Sequence, residues 1–153
     1  YPSNLDPNER YASYDYCYNY FRSFVDLNQT SELASDANKQ NSCIQLGFYL
    51  ASWGMYRGSS QLLQKSAKEL EKVIKVIAAT DPALFKIDVH NYDKKTIRQV
   101  LDLKDRLQNA FTHPATTTLL TKTMLGVFGC IPAFDSYFVR GSGLRTVNEK
   151  NLL

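Results

Sequence analysis

The chain has 153 residues, 44% hydrophobic and 22% charged, which suits one globular domain over residues 1–153 and excludes wholesale disorder. Seven glycines and five prolines exclude collagen-like and low-complexity classes, and no run of about 18 apolar residues exists to cross a membrane. The net charge of +3 divides into −4 over residues 1–38 (two basic, six acidic), +5 over 39–98 (ten, five) and +2 over 99–153 (six, four). A basic middle of this kind reads either as a solvated helix face or as a surface for an anion such as nucleic acid or phosphate.

Helical periodicity dominates, with no internal repeat and no strand-like alternation beyond a few residues. Asp6-Pro7 reads as a cap followed by proline at the first helical position, opening a helix over 7–27. Its inward stripe is Tyr11, Tyr14, Tyr18, Phe21 and Val25, flanked by Cys17 and Phe24. A polar loop over 28–41 with one helical turn near Leu33 follows. The second helix starts at Ser42 and is apolar nearly all round, as a central buried helix is. A third is expected over 60–79, with Leu63, Leu70, Ile74 and Ile77 inward and Lys65, Lys68, Glu69, Lys72 and Lys75 in water. Thr80-Asp81-Pro82 ends it and opens a short turn through Phe85. Asp93 caps a fourth helix over 94–111, His113-Pro114 breaks the chain, and a fifth helix covers 114–128. A short helix over 133–139, a flexible Gly141-Ser142-Gly143 joint and a helical stub complete an all-α bundle of about five to six helices around the aromatic second one.

Three cysteines, Cys17, Cys43 and Cys130, lie far apart among apolar neighbours, as free buried thiols do, which favours a reducing, cytoplasmic compartment. No Cys-x-x-Cys pair and no helical His pair exists, so no metal and no cofactor is expected. The start shows neither a basic nor an apolar leader region and no initiator Met, and reads as a piece of a longer polypeptide.

Two stretches offer chemistry. In 53–60, Trp53, Arg57, Ser59 and Ser60 form a candidate ligand or phosphate site of ring, guanidinium and hydroxyls, the alternative being packing and a serine cap for the third helix. Gly47, Ala51, Gly54 and Gly58, spaced by four, three and four, would line one helix face as a small-residue stripe. In 121–138, Asp135 follows a Gly-Pro turn, with Lys122 upstream; the pair is a candidate base and its partner, the alternative being a helix cap. The exposed hydroxyl edges of Tyr11, Tyr14 and Tyr18 suit either core packing or a protein partner.

The order helix, Gly129, Pro132-Ala133-Phe134-Asp135 resembles the segment that closes helix-hairpin-helix DNA glycosylases. The resemblance covers 121–138 and implies that Asp135 takes the place of the catalytic aspartate. The glycine hairpin of that family is replaced here by residues 115–120, which hold no glycine. LGFYLASWGMYRGSS and TKTMLGVFGCIPAFDSYF also resemble an uncharacterised all-helical family of bacterial and phage proteins, which implies such an origin. The expectation is a binding or interaction module, with a nucleic-acid-directed protein or divergent glycosylase-like enzyme as the alternative.

Overall fold

A computed structural model describes residues 6–152, whose regular structure is entirely helical. Seven α-helices occur among the described residues: α1 (Ser13–Asp26), α2 (Lys39–Ser52), α3 (Glu71–Ala78), α4 (Lys94–Ala110), α5 (Thr117–Phe128), α6 (Ser136–Ser142) and α7 (Glu149–Leu152). Short 3-10 turns join them, and one continuous apolar core runs from Cys17 to Val147.

The first helix starts later than the Asp6-Pro7 signal suggests. Asp6 spends its carboxylate on the backbone N–H of Asn8 at 2.9 Å, a local Asx turn. A 3-10 turn over Arg10–Ala12 then leads into α1. Its buried line is Cys17, Phe21 and Val25, whereas Tyr14 and Tyr18 are half-buried and Tyr11 is 54% exposed. The inward stripe is therefore rotated from the tyrosines toward the cysteine.

α2 packs on α1, α3 and α5, as a central helix does. It nevertheless exposes Ile44 and Phe48, one turn apart. The more enclosed helix is α5, which buries Leu119 through Met124 and Gly126 through Phe128. The expected third helix is broken. Ser60 and Ser66 each cap a 3-10 turn, Gln61–Gln64 and Ala67–Leu70, and only Glu71–Ala78 is α-helical. The two serine caps win because each satisfies backbone donors locally and leaves Lys65 extended. The break turns Leu62 inward, fully buried, and leaves Leu63 exposed, opposite to the expectation. Lys68, Lys72 and Lys75 do face water.

The caps of the later helices are legible. Asp93 accepts from the N–H of Thr96 at 2.7 Å and opens α4. Thr116, rather than the break at Pro114, caps α5. α6 starts at Ser136 and continues through Gly141 and Ser142, so the glycine-serine joint is helix rather than a flexible link.

α2 and α5 meet at Tyr49 and Gly126. Tyr49 is fully buried, and its hydroxyl donates to the main-chain oxygen of Lys122 at 3.0 Å. A Cβ on Gly126 would lie 2.2 Å from the Tyr49 ring, so only glycine permits this crossing. Two threonines of α5 strap the following turn. The Thr118 hydroxyl donates to the Phe134 oxygen at 3.0 Å, and the Phe134 N–H donates to the Thr121 hydroxyl at 2.8 Å. Those bonds set where Asp135 and α6 begin.

Candidate functional site

α2 ends in a turn that shapes the site. The N–H groups of Gly54 and Met55 donate back to Ala51 and Leu50 at 3.0 and 2.8 Å, the paired bonds of a Schellman motif. That motif needs a left-handed residue, and Gly54 supplies it with φ of +83°. The chain leaves the helix here, so Gly54 and Gly58 sit in turns and the small-residue stripe on one helix does not form. Gly54 instead lies beneath the Arg57 side chain, where a Cβ would meet the guanidinium at 3.0 Å.

Trp53 is the meeting point. Tyr11 stands edge-on to it at 5.7 Å, while Tyr14 and Tyr49 tilt against it at 6.1 and 5.4 Å. Tyr14 in turn stacks on Tyr18 at 5.7 Å. The guanidinium of Arg10 covers the Tyr11 ring at 4.5 Å. The indole Nε1 of Trp53 is buried without a hydrogen-bond partner among the described residues.

Lys122 reaches this cluster from α5. Its side chain is buried, and its ammonium donates to the Trp53 carbonyl at 2.6 Å. Burial holds its pKa below the ordinary lysine value; the carboxylate of Asp135 opposes that shift, and the positive charges of Arg57 and Arg10 add to it. Three cations and one carboxylate therefore share one electrostatic neighbourhood. Arg10 and Arg57 are both exposed, and neither is ion-paired among the described residues.

Asp135 does what a cap does. One carboxylate oxygen accepts from the N–H groups of Tyr137 and Phe138, both at 3.0 Å. Lys122 and Asp135 are coupled through space without a direct ion pair among the described residues. Ser60 is spent on structure: its hydroxyl donates to the Met55 oxygen at 2.5 Å and caps the next turn. Ser59 is exposed beside it. Of the residues singled out in sequence, Trp53, Arg57, Lys122 and Asp135 thus fall in one region with Tyr11, while Ser60 is drawn into local capping.

A second feature escapes sequence reasoning. A cavity of about 590 Å³ lies between the 87–92 segment, the turn from α5 to α6 and α7. Tyr92, whose hydroxyl donates to the Cys130 oxygen, stands on one side and the Phe134–Phe138 pair on another. The stretch Ile87 to Asp93 reads in sequence only as a connector, and its one signal is an aromatic residue between acidic ones.

No family model, no curated protein and no solved structure matches the chain. The resemblance to helix-hairpin-helix glycosylases accordingly rests on residues 121–138 alone.

Proposed function

We propose that the chain is a cytoplasmic binding module that docks an acidic segment of a partner protein on the surface formed by Arg10, Tyr11, Trp53 and Arg57. One observation carries this reading: an exposed arginine, Arg10, covers a tyrosine that is 54% exposed and edge-on to the single tryptophan, and a second exposed arginine, Arg57, acts on the same Lys122 as Arg10, neither arginine having a carboxylate partner among the described residues. Tyrosine, tryptophan and arginine are the residues that dominate binding energy at interfaces. Holding the positive field in place without a matching anion costs stability, and an acidic partner relieves that cost. Tyr14 and Tyr18 back the surface as a half-buried stack. The three buried free thiols support the reducing compartment.

Selection of a random peptide library on the immobilised protein tests it. The reading expects enrichment of Asp- and Glu-rich peptides whose affinity falls about tenfold or more in Arg57→Ala and in Tyr11→Ala. Peptides without acidic bias, or acidic peptides indifferent to both substitutions, contradict it.

A nucleic-acid-directed reading draws on the same charges. Arg10 and Arg57 both lie within electrostatic reach of Lys122, and Tyr11 offers a ring on which a base could stack. Its mark is binding of a short single-stranded oligonucleotide that weakens steeply with salt, by counterion release. Binding that is absent at low salt overturns this second reading and leaves the first.

A further inference from the structure

We propose that the cavity between the 87–92 segment, the α5–α6 turn and α7 binds a small organic amine with an aromatic body. Its volume of about 590 Å³ lies in the range of small-molecule sites. The walls are shaped by aromatic rings whose backbones are held in place. Phe134 is buried, its main chain is bonded on both sides to Thr118 and Thr121 of α5, and its ring stacks on Phe138 at 4.5 Å and 21°. Tyr92 is fixed by the bond from its hydroxyl to the Cys130 oxygen. Such rings suit a flat apolar ligand and attract a cation over their faces.

The polar lining sets the sign of the ligand's charge. Among the described residues, Asp88 is the one charged side chain lining the cavity, and no basic side chain lines it. Asn151 also lines it, and its amide nitrogen is already committed to the carbonyl and hydroxyl of Thr146 at 2.7 and 3.3 Å. Its side-chain oxygen accepts no bond among the described residues and serves as a second acceptor. A site with acceptors, one carboxylate and aromatic walls favours a ligand that brings N–H donors and a positive charge, and it disfavours an anion of the same shape. This site is separate from the Arg10–Trp53 surface, whose charge has the opposite sign.

The test compares two probes of equal ring and chain length and opposite charge, naphthylethylamine and naphthylpropionate. Each is titrated into the full chain and into Asp88→Asn while amide shifts are followed by NMR. The expected result is saturable shifts around Tyr92, Gly129 and Phe138 with the amine, affinity about tenfold weaker in Asp88→Asn, and no saturation with the carboxylate in the same range. An unchanged spectrum of Asp88→Asn outside the site checks that this variant keeps the fold. A second variant, Phe138→Ser, removes half of the stacked ring pair and is expected to weaken the amine while Asp88 remains. Absence of saturable shifts with the amine, equal affinity for both probes, or indifference to both substitutions overturns the proposal.

Discussion

The ammonium of Lys122 donates to the carbonyl of Trp53 at 2.6 Å, tying the middle of α5 to the end of α2. The same lysine's carbonyl accepts from Tyr49, so one residue holds α2 at two points. The lysine is buried to reach that carbonyl, and burial makes its charge expensive. Because its pKa is lowered, the unfolded state binds the proton more tightly than the fold does. Lys122 therefore adds stability as pH rises from its folded value toward 10.5.

Lys122→Met keeps the aliphatic stem and removes the donor. It is expected to cost roughly 1–3 kcal/mol by leaving the Trp53 carbonyl without that bond. The deficit relative to the parent should widen as pH is raised toward 10.5, since only the parent escapes its buried charge. Urea denaturation of both proteins across that window reads this directly. A deficit that shrinks with pH would show that the charged form is the favoured one.

The crossing of α2 and α5 depends on the missing side chain of Gly126. Gly126→Ala places a methyl 2.2 Å from the Tyr49 ring in the core, where neither helix can easily give way. A loss of about 3 kcal/mol is expected from overpacking, despite alanine's better helix propensity. Thermal or urea unfolding measures it; a stabilised Gly126→Ala would mean the helices move apart freely.

Asp135 separates capping from chemistry by substitution. Asp135→Ala should cost about 1 kcal/mol through loss of two bonds to α6, and Asp135→Asn should restore nearly all of it. Asn also removes the one negative charge that opposes the fall of the Lys122 pKa, so that pKa drops further in Asp135→Asn. Amine-detected NMR titration of Lys122 in both proteins tests the shift.

Much of this was legible in the sequence where a local rule acts alone. Asp93 reads as a cap, and Asp135 as a cap or a base, because one carboxylate and the first backbone donors of a helix lie close in sequence. The 60–79 stretch misleads because its apolar spacing fits a helix, while two serines, each satisfying a donor two residues on, interrupt it. Tyr11, Tyr14 and Tyr18 have the spacing of a buried stripe, yet the pull of Cys17 and Phe21 into the core turns them to its edge. The convergence of Arg10, Trp53 and Lys122 joins parts of the chain up to 112 positions apart. No spacing rule reaches that far. The cavity beside Tyr92 is hidden for the same reason, since its walls come from three separate segments.

Alkaline pH should unfold the protein early. Burial pushes the Cys43 thiol up to about 11 and Cys130 to about 12 from 9.0, and raises Cys17, Tyr49 and Tyr92 as well. A raised pKa means that the fold holds its proton longer than the unfolded chain. That stability is complete below pH 9 and is lost as pH rises through the folded values. Five such groups outweigh the single opposing Lys122. The midpoint of unfolding should therefore fall steadily above pH 9, and less so in Cys43→Ala. A flat profile from pH 9 to 11 would contradict the buried state of these thiols.

The proposed docking of an acidic partner on the surface around Tyr11, Trp53 and Arg57 is reported directly by the single tryptophan. An Asp- and Glu-rich peptide taken from the library selection is titrated into the protein while Trp53 emission is followed at low and moderate salt. The expected result is a saturable emission change that weakens with salt and falls about tenfold or more in affinity in Arg57→Ala. An emission that stays flat while the peptide binds, or a response unchanged in Arg57→Ala, would place the binding surface elsewhere.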